Sequence, residues 1–130
     1  MSDVLVDSSA WIAFFRGEPE VIRRLDPHLA NGSLATCGPI VAELLSGART
    51  RQEFDLLESL FEGIPLLPEP DDVWLRVAGT RFDLARNGYR ASLVDLSIAL
   101  TALNSRHTLW TRDRDFSKIR KVVAIELEVF

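Results

Sequence analysis

Four acidic residues sit where carboxylates could do chemistry. Asp7 closes the apolar run VLVD, Glu43 lies in PIVAELL, Asp95 in SLVD and Asp113 in TRDRDF, with Asp115 two residues further on. None has a histidine or cysteine beside it that would extend the set; His28 and His107 fall elsewhere in the chain. Oxygen-only ligand sets suit hard divalent cations, Mg²⁺ or Mn²⁺. Each acid also has a purely structural reading. Asp7 can cap the helix that follows it. Asp95 stands three residues after Ser92, a Ser/Asp variant of the capping box. Glu43 can face solvent on an amphipathic helix, and Asp113 and Asp115 can be turn residues beside arginines. Position in the fold has to decide between the readings.

The elements that must deliver these residues can be read from pattern. Val4–Val6 and Thr108–Thr111 read as strands, Ser33–Cys37 as a short one, Val122–Val129 as a last one, and Ile64–Leu67, with Pro65 inside it, as an edge strand at best. Helices are expected at Ala10–Arg16 (stopped by Gly17), Pro19–Ala30 (closed by Asn31-Gly32), Pro39–Ser46, Gln52–Phe61, Asp71–Arg86 and Leu93–Ser105. In Asp71–Arg86, Trp74, Ala78, Phe82 and Ala85 share one stripe; in Leu93–Ser105, Leu93, Leu96, Leu100 and Leu103 do. Ser8 or Ser9 is the expected cap of the first helix. Strands alternating with helix pairs predict an α/β fold, a three-layer α/β/α sandwich with a mostly parallel central sheet. In such a sheet the strand C-termini and the following helix N-termini share one edge, where ligands of open α/β sheets bind. Asp7, Glu43, Asp95 and Asp113 all fall on that edge. Crowded carboxylates raise one another's pKa values unless a cation neutralises them, which favours a metal site over four separate structural roles.

Bulk properties narrow the class. At 130 residues the chain is long enough for one domain with a real core, taken here as residues 1–130. The net charge of −4 gives no global attraction to nucleic acid. The cations are 13 Arg against 2 Lys, however, and Arg is the better bidentate phosphate ligand. Arg112 and Arg114 alternate with the last two acids, and Arg49 and Arg51 follow Gly47; both pairs could meet an RNA backbone or simply pair with local acids. Cys37 is the only cysteine, so no internal disulfide forms and a reducing cytoplasm fits. Nothing reads as a signal peptide or a membrane span.

Four segments together resemble a known family. VDSSAWI at Val6–Ile12, VAELLSG at Val41–Gly47, LVDLSIA at Leu93–Ala99 and LWTRDRDFSKI at Leu109–Ile119 are similar to the motifs of PIN-domain ribonucleases, above all the VapC-like toxins of bacterial toxin–antitoxin pairs. The resemblance runs over nearly the whole chain. It implies that Asp7, Glu43, Asp95 and Asp113 are the acidic catalytic and metal-binding set, that Thr111 supports the site, and that Asp115 is the second acid of the last motif. It implies Mg²⁺- or Mn²⁺-dependent hydrolysis of RNA, a cognate antitoxin whose C-terminal segment covers the site, and a homodimer. The family often carries Ser or Thr early in the second motif. Gly38-Pro39 stands there in this chain, which removes that source of a hydroxyl near Glu43.

Partner and rival readings follow. AWIAFF in the first helix carries Trp11, Ile12, Phe14 and Phe15, more apolar surface than one short helix face usually buries, so part of it could form a groove for a partner helix. A receiver domain would need an acidic pair after the first strand and a lysine after a late one. A haloacid-dehalogenase-type phosphatase would need Asp-x-Asp where DSS stands. A non-catalytic PIN-like scaffold and a housekeeping RNA-processing nuclease are the remaining alternatives.

Overall fold

The computed structural model describes residues 3–130. Its core is a four-stranded sheet of order β2-β1-β3-β4. The strands are β1 (Val4–Val6), β2 (Leu34–Ala35), β3 (Thr108–Thr111) and β4 (Leu127–Val129), and every pairing is parallel. β1 is central: Val4 pairs with Leu34 on one side, and Val6 with Trp110 on the other. That explains its uninterrupted VLV, which is buried throughout as a strand covered on both faces must be. Helices cover both faces, giving the three-layer α/β/α sandwich. They are α1 (Ser8–Phe15), α2 (Pro19–Asn31), α3 (Gly38–Ser46), α4 (Arg51–Glu62), α5 (Val73–Arg86), α6 (Leu93–Ser105) and α7 (Asp115–Ile119).

Local chemistry sets most of the boundaries. Pro19 opens α2, and Gly32 closes it with φ of +67°, a conformation in which a Cβ would be strained. Thr50 caps α4 by accepting from the Glu53 N–H at 3.1 Å. Ser92 caps α6 by accepting from the Asp95 N–H at 3.0 Å.

Several expectations need correction. The helix expected from Ala10 starts at Ser8, and its cap position is held by Asp7, not by either serine. The strand expected over Ser33–Cys37 shrinks to Leu34–Ala35, and Ile64–Leu67 supplies only a bridge from Leu66 to Thr36. The last strand is confined to Leu127–Val129, and the short helix α7, which buries Phe116 and Ile119, was not expected from pattern. The apolar stripe of α5 faces outward: Trp74 is 52% and Phe82 58% exposed, while Val73, Val77 and Leu84 face the core. α5 has two apolar faces at helical spacing, and periodicity alone does not say which one packs. In α6 the expected stripe widens to an unbroken buried run, Leu96 to Ala102, with Leu93 left exposed. Ser97 and Thr101 tolerate that burial because their hydroxyls donate to the carbonyls of Val94 and Ser97, at 2.7 and 2.8 Å.

Candidate functional site

β1 ends at Val6, and the Asp7 N–H continues the parallel ladder by donating to the Trp110 carbonyl at 2.9 Å. Asp7 is therefore fixed in the sheet edge before its side chain does anything. Its backbone occupies the α1 cap position, but its carboxylate makes no capping bond. Instead Oδ2 accepts two hydroxyl donors, Ser9 Oγ at 2.7 Å and Thr111 Oγ1 at 2.9 Å. Those two oxygens lie 3.1 Å apart. Each hydroxyl has a single proton and directs it at Asp7, so they are neighbours and not partners. As acceptors they hold the segment that follows β3: Ser9 Oγ takes the Arg112 N–H at 3.0 Å and Thr111 Oγ1 takes the Asp113 N–H at 2.9 Å. Asp7, at 3% exposure, is a charge almost removed from water. Its Oδ2 is satisfied; its Oδ1 has only a long contact, 3.5 Å, from Ser8 Oγ.

Ser8 reaches the other way as well, 3.4 Å from Glu43 Oε2. It thus stands between Asp7 and Glu43 and supplies, from α1, the hydroxyl that Gly38-Pro39 does not supply from α3. Partial burial and the nearby Asp7 charge push the Glu43 carboxyl up, opposed by the Ser8 hydrogen bond. Asp95, in the first turn of α6, is pushed up from 3.8 to about 6. Desolvation is the first cause and the Asp7 charge the second; Ser92 opposes them, and Asp113 and Glu43 add to the rise. The four carboxylates gather on one rim and feel one another. They are not closed on a single point: among the described residues no three Asp, Glu, His or Cys side chains enclose a position for an ion. The donor set nevertheless fits a hard divalent cation. It is all oxygen, it holds like charges together at an energetic cost, and Asp7 Oδ1 has no partner closer than the 3.5 Å contact from Ser8.

The remaining sequence candidates divide. Thr111 is fully buried, with its hydroxyl between the Asp7 carboxylate and the Asp113 N–H. Asp115 gives its N–H to Asp113 Oδ1 at 2.9 Å, while its own carboxylate pairs with Lys118 at 3.4 Å and stays out of the cluster. Arg112 and Arg114 flank Asp113 at the rim. Arg49 instead lines an apolar groove beside Glu43, and Arg51 pairs with Asp55 at 3.2 Å and lies over the Phe54 ring. Sequence reading cast Ser8 or Ser9 as the helix cap; both hydroxyls instead face carboxylates, Ser9 donating to Asp7 and Ser8 lying between Asp7 and Glu43. The available signal was their placement one and two residues after a strand-end acid, where the first helical turn folds a side chain back over the cap residue. Cys37 is buried, and desolvation pushes its thiol up to about 11, so it is no nucleophile.

The groove beside Glu43 has a volume of about 670 Å³. Its walls include Ile12 and Phe15 of α1 and Leu56, Leu57 and Leu60 of α4, with Arg16 and Arg49 among them. Trp11 of the same AWIAFF segment is wholly buried, so that segment does divide between core and groove. Among the described residues no helix is long and apolar enough to cross a membrane.

Comparison with known proteins agrees with this architecture. A model of the PIN domain matches residues 4–122. The chain is 32% identical to the VapC ribonuclease Mb1587 of Mycobacterium bovis and to ribonuclease VapC11 of Mycobacterium tuberculosis, over 98% of this chain and 98% of each relative. DNA-bound VapBC from Salmonella typhimurium shares the fold, with a TM-score of 0.78 at 19% identity over 99% of this chain and 98% of that one. VapBC-5 from Mycobacterium tuberculosis is 26% identical over the full length of both chains, with a TM-score of 0.69.

Proposed function

The chain belongs to the PIN-domain family, among the VapC ribonucleases, and on that premise we propose that it is a Mg²⁺- or Mn²⁺-dependent endoribonuclease and the toxin of a toxin–antitoxin pair. The observation that carries this is the gathering of Asp7, Glu43 and Asp113 around Asp95: partial burial first, and then these neighbouring carboxylates, push its pKa up to about 6, an arrangement that is unfavourable until a cation neutralises it.

Asp7, Asp95 and Asp113 hold the cation, with Glu43 a ligand directly or through water. A bound divalent ion supplies Lewis acidity toward the scissile phosphate and activates the attacking water near neutral pH. Ser9 and Thr111 lock Asp7 in one rotamer through Oδ2, which leaves Oδ1 for the cation. Ser8 orients Glu43. The Asp113 backbone is pinned by Thr111, so the last acid is delivered by the sheet and not by a mobile turn. No side chain acts as a covalent nucleophile.

Residues 1–130 act as one PIN-like unit in the cytoplasm. The antitoxin places an amphipathic helix in the groove beside Glu43, since its walls pair an apolar floor with charged residues, Glu43 among them. The outward stripe of α5, with Trp74, Leu75 and Phe82, is the surface of a homodimer.

The test is cleavage of a structured RNA in Mg²⁺. Activity is expected to vanish with EDTA and to fall at least about a hundredfold in Asp95→Ala. Cleavage that survives in Asp95→Asn overturns the metal-site assignment. Expression of the chain alone is expected to arrest growth, with relief by the small antitoxin frame encoded beside it.

A further inference from the structure

On the Asp113 side of the rim lies a second opening, a cleft of about 690 Å³ walled by Arg112, Arg114, Ser117, Val129 and Phe130. We infer that this cleft seats one unpaired nucleotide of the RNA next to the scissile phosphate, with its phosphate on Arg112 and Arg114 and its base against Phe130. The inference rests on the ribonuclease reading and extends it to the form of the substrate.

Position is the first argument. Arg112 and Arg114 flank Asp113 in the chain, and the Arg112 N–H is held by the same Ser9 hydroxyl that donates to Asp7, so the cleft wall begins within a residue of the acidic cluster. The backbone there is rigid, because the Arg112 and Asp113 N–H groups are bound by Ser9 and Thr111.

Charge is the second. The molecule is acidic overall, yet two guanidinium groups meet at this cleft and, among the described residues, Arg114 has no carboxylate partner. Arg112 pairs with Glu18 at 3.3 Å, but both side chains are more than a third exposed, and such pairs exchange readily for a phosphate. The other arginine pair is built differently, Arg51 being engaged by Asp55 and Phe54.

The third argument is the ring. Phe130 is anchored by its N–H to the Thr111 carbonyl at 3.0 Å, by a T-shaped contact with the Trp110 ring, centroids 5.8 Å apart, and by the Arg24 guanidinium 4.6 Å from its centroid. Arg24 is in turn held by Glu128. A fixed aromatic ring beside paired arginines is what single-stranded nucleic acid uses: stacking for the base and cations for the backbone. Bases inside a duplex are already stacked and cannot reach it. An acidic peptide could use the arginines but would gain nothing specific from the ring.

The experiment measures binding, separately from cleavage. A fluorescently labelled single-stranded RNA of about ten nucleotides is titrated in EDTA, across a salt series, against the same sequence as a duplex. The single strand is expected to bind more tightly. Arg114→Ala is expected to lower the slope of log affinity against log salt by about 0.7, the value for one lost phosphate contact on a single strand. Phe130→Leu, which retains an apolar side chain, is expected to weaken binding about fivefold or more. A series of RNAs with one abasic site stepped along the chain should contain a position where that difference disappears. Glu18→Gln, which releases Arg112, is expected to tighten binding.

Equal affinity for duplex and single strand, or no response to Phe130→Leu together with the abasic series, overturns the inference. So does displacement of the RNA by an acidic peptide when the ring variant has no effect. If wild-type protein shows the expected binding pattern but cuts no RNA in Mg²⁺, the nuclease reading fails and the cleft assignment stands. If it cuts RNA and the variants bind like wild type, the reverse holds.

Discussion

At the scale of single residues, the site depends on hydroxyls as much as on acids. Thr111 serves two buried groups at once, donating to Asp7 and accepting from the Asp113 N–H. Thr111→Val keeps the shape and strands both partners. It should cost about 1–3 kcal/mol in denaturant unfolding, and should weaken Mn²⁺ binding about 10–100-fold, as loss of ligand-orienting partners does. Unchanged Mn²⁺ affinity would show that Asp7 does not need this anchor. Asp95 makes a prediction with a definite sign. Its carboxyl is raised in the fold from 3.8 to about 6, so as pH rises from about 4 to about 6 the unfolded chain loses this proton before the folded one does. Folding stability of the metal-free protein therefore falls across that window. Asp95→Asn removes the penalty, and its Tm should exceed wild type by about 2–5 °C above pH 6, a modest gain because the side chain is half exposed. The difference should close below pH 4. Adding Mg²⁺ should raise the wild-type Tm and leave the variant nearly unmoved; a variant less stable than wild type at pH 8 in EDTA contradicts the raised pKa.

Elements carry a different lesson. α6 does double duty at its first turn: Ser92 caps the helix through the Asp95 N–H while the Asp95 side chain joins the carboxylate rim. The capping and the functional readings of SLVD are compatible, because one uses the backbone N–H and the other the carboxylate. α5 is the clearest case of a pattern that misleads. Leu84→Ala, on the buried face, should cost about 2–5 kcal/mol. Trp74→Ala and Phe82→Ala should leave unfolding within about 0.5 kcal/mol of wild type, while shifting sedimentation from dimer to monomer. A large stability loss in Trp74→Ala would return that stripe to the core.

Across the whole molecule, two openings converge on one acidic rim. Glu43 is part of the apolar groove's wall, and the arginine cleft is walled by the two chain neighbours of Asp113. A protein partner in the groove and an RNA in the cleft would therefore use different walls, each next to one of the acids. Leu56 lines the groove and is 66% exposed. Leu56→Glu should leave Mg²⁺-dependent cleavage intact while weakening neutralisation by the antitoxin, read as growth arrest that persists on co-expression. Loss of cleavage in this variant would tie the groove to catalysis instead.

The parallel α/β class, the β1 and β3 strands, the extents of α3 and α6 to within a residue, and the four acids on one sheet edge were legible in the chain itself. Apolar runs, proline and glycine stops and the strand–helix alternation are local signals, and a parallel sheet turns their order into a shared edge. What only the tertiary structure decided depends on contacts remote in sequence. Ser9 and Thr111 are 102 residues apart, and nothing local shows that both donate to Asp7. The outward face of α5 was settled by what α6 had room to cover. The Phe130 ring reached Arg112 and Arg114 only because β4 pairs beside β3. Residue type and spacing determined which groups could hold a cation; the packing of distant elements determined which oxygen of Asp7 is bonded by hydroxyls and which is left without a close partner.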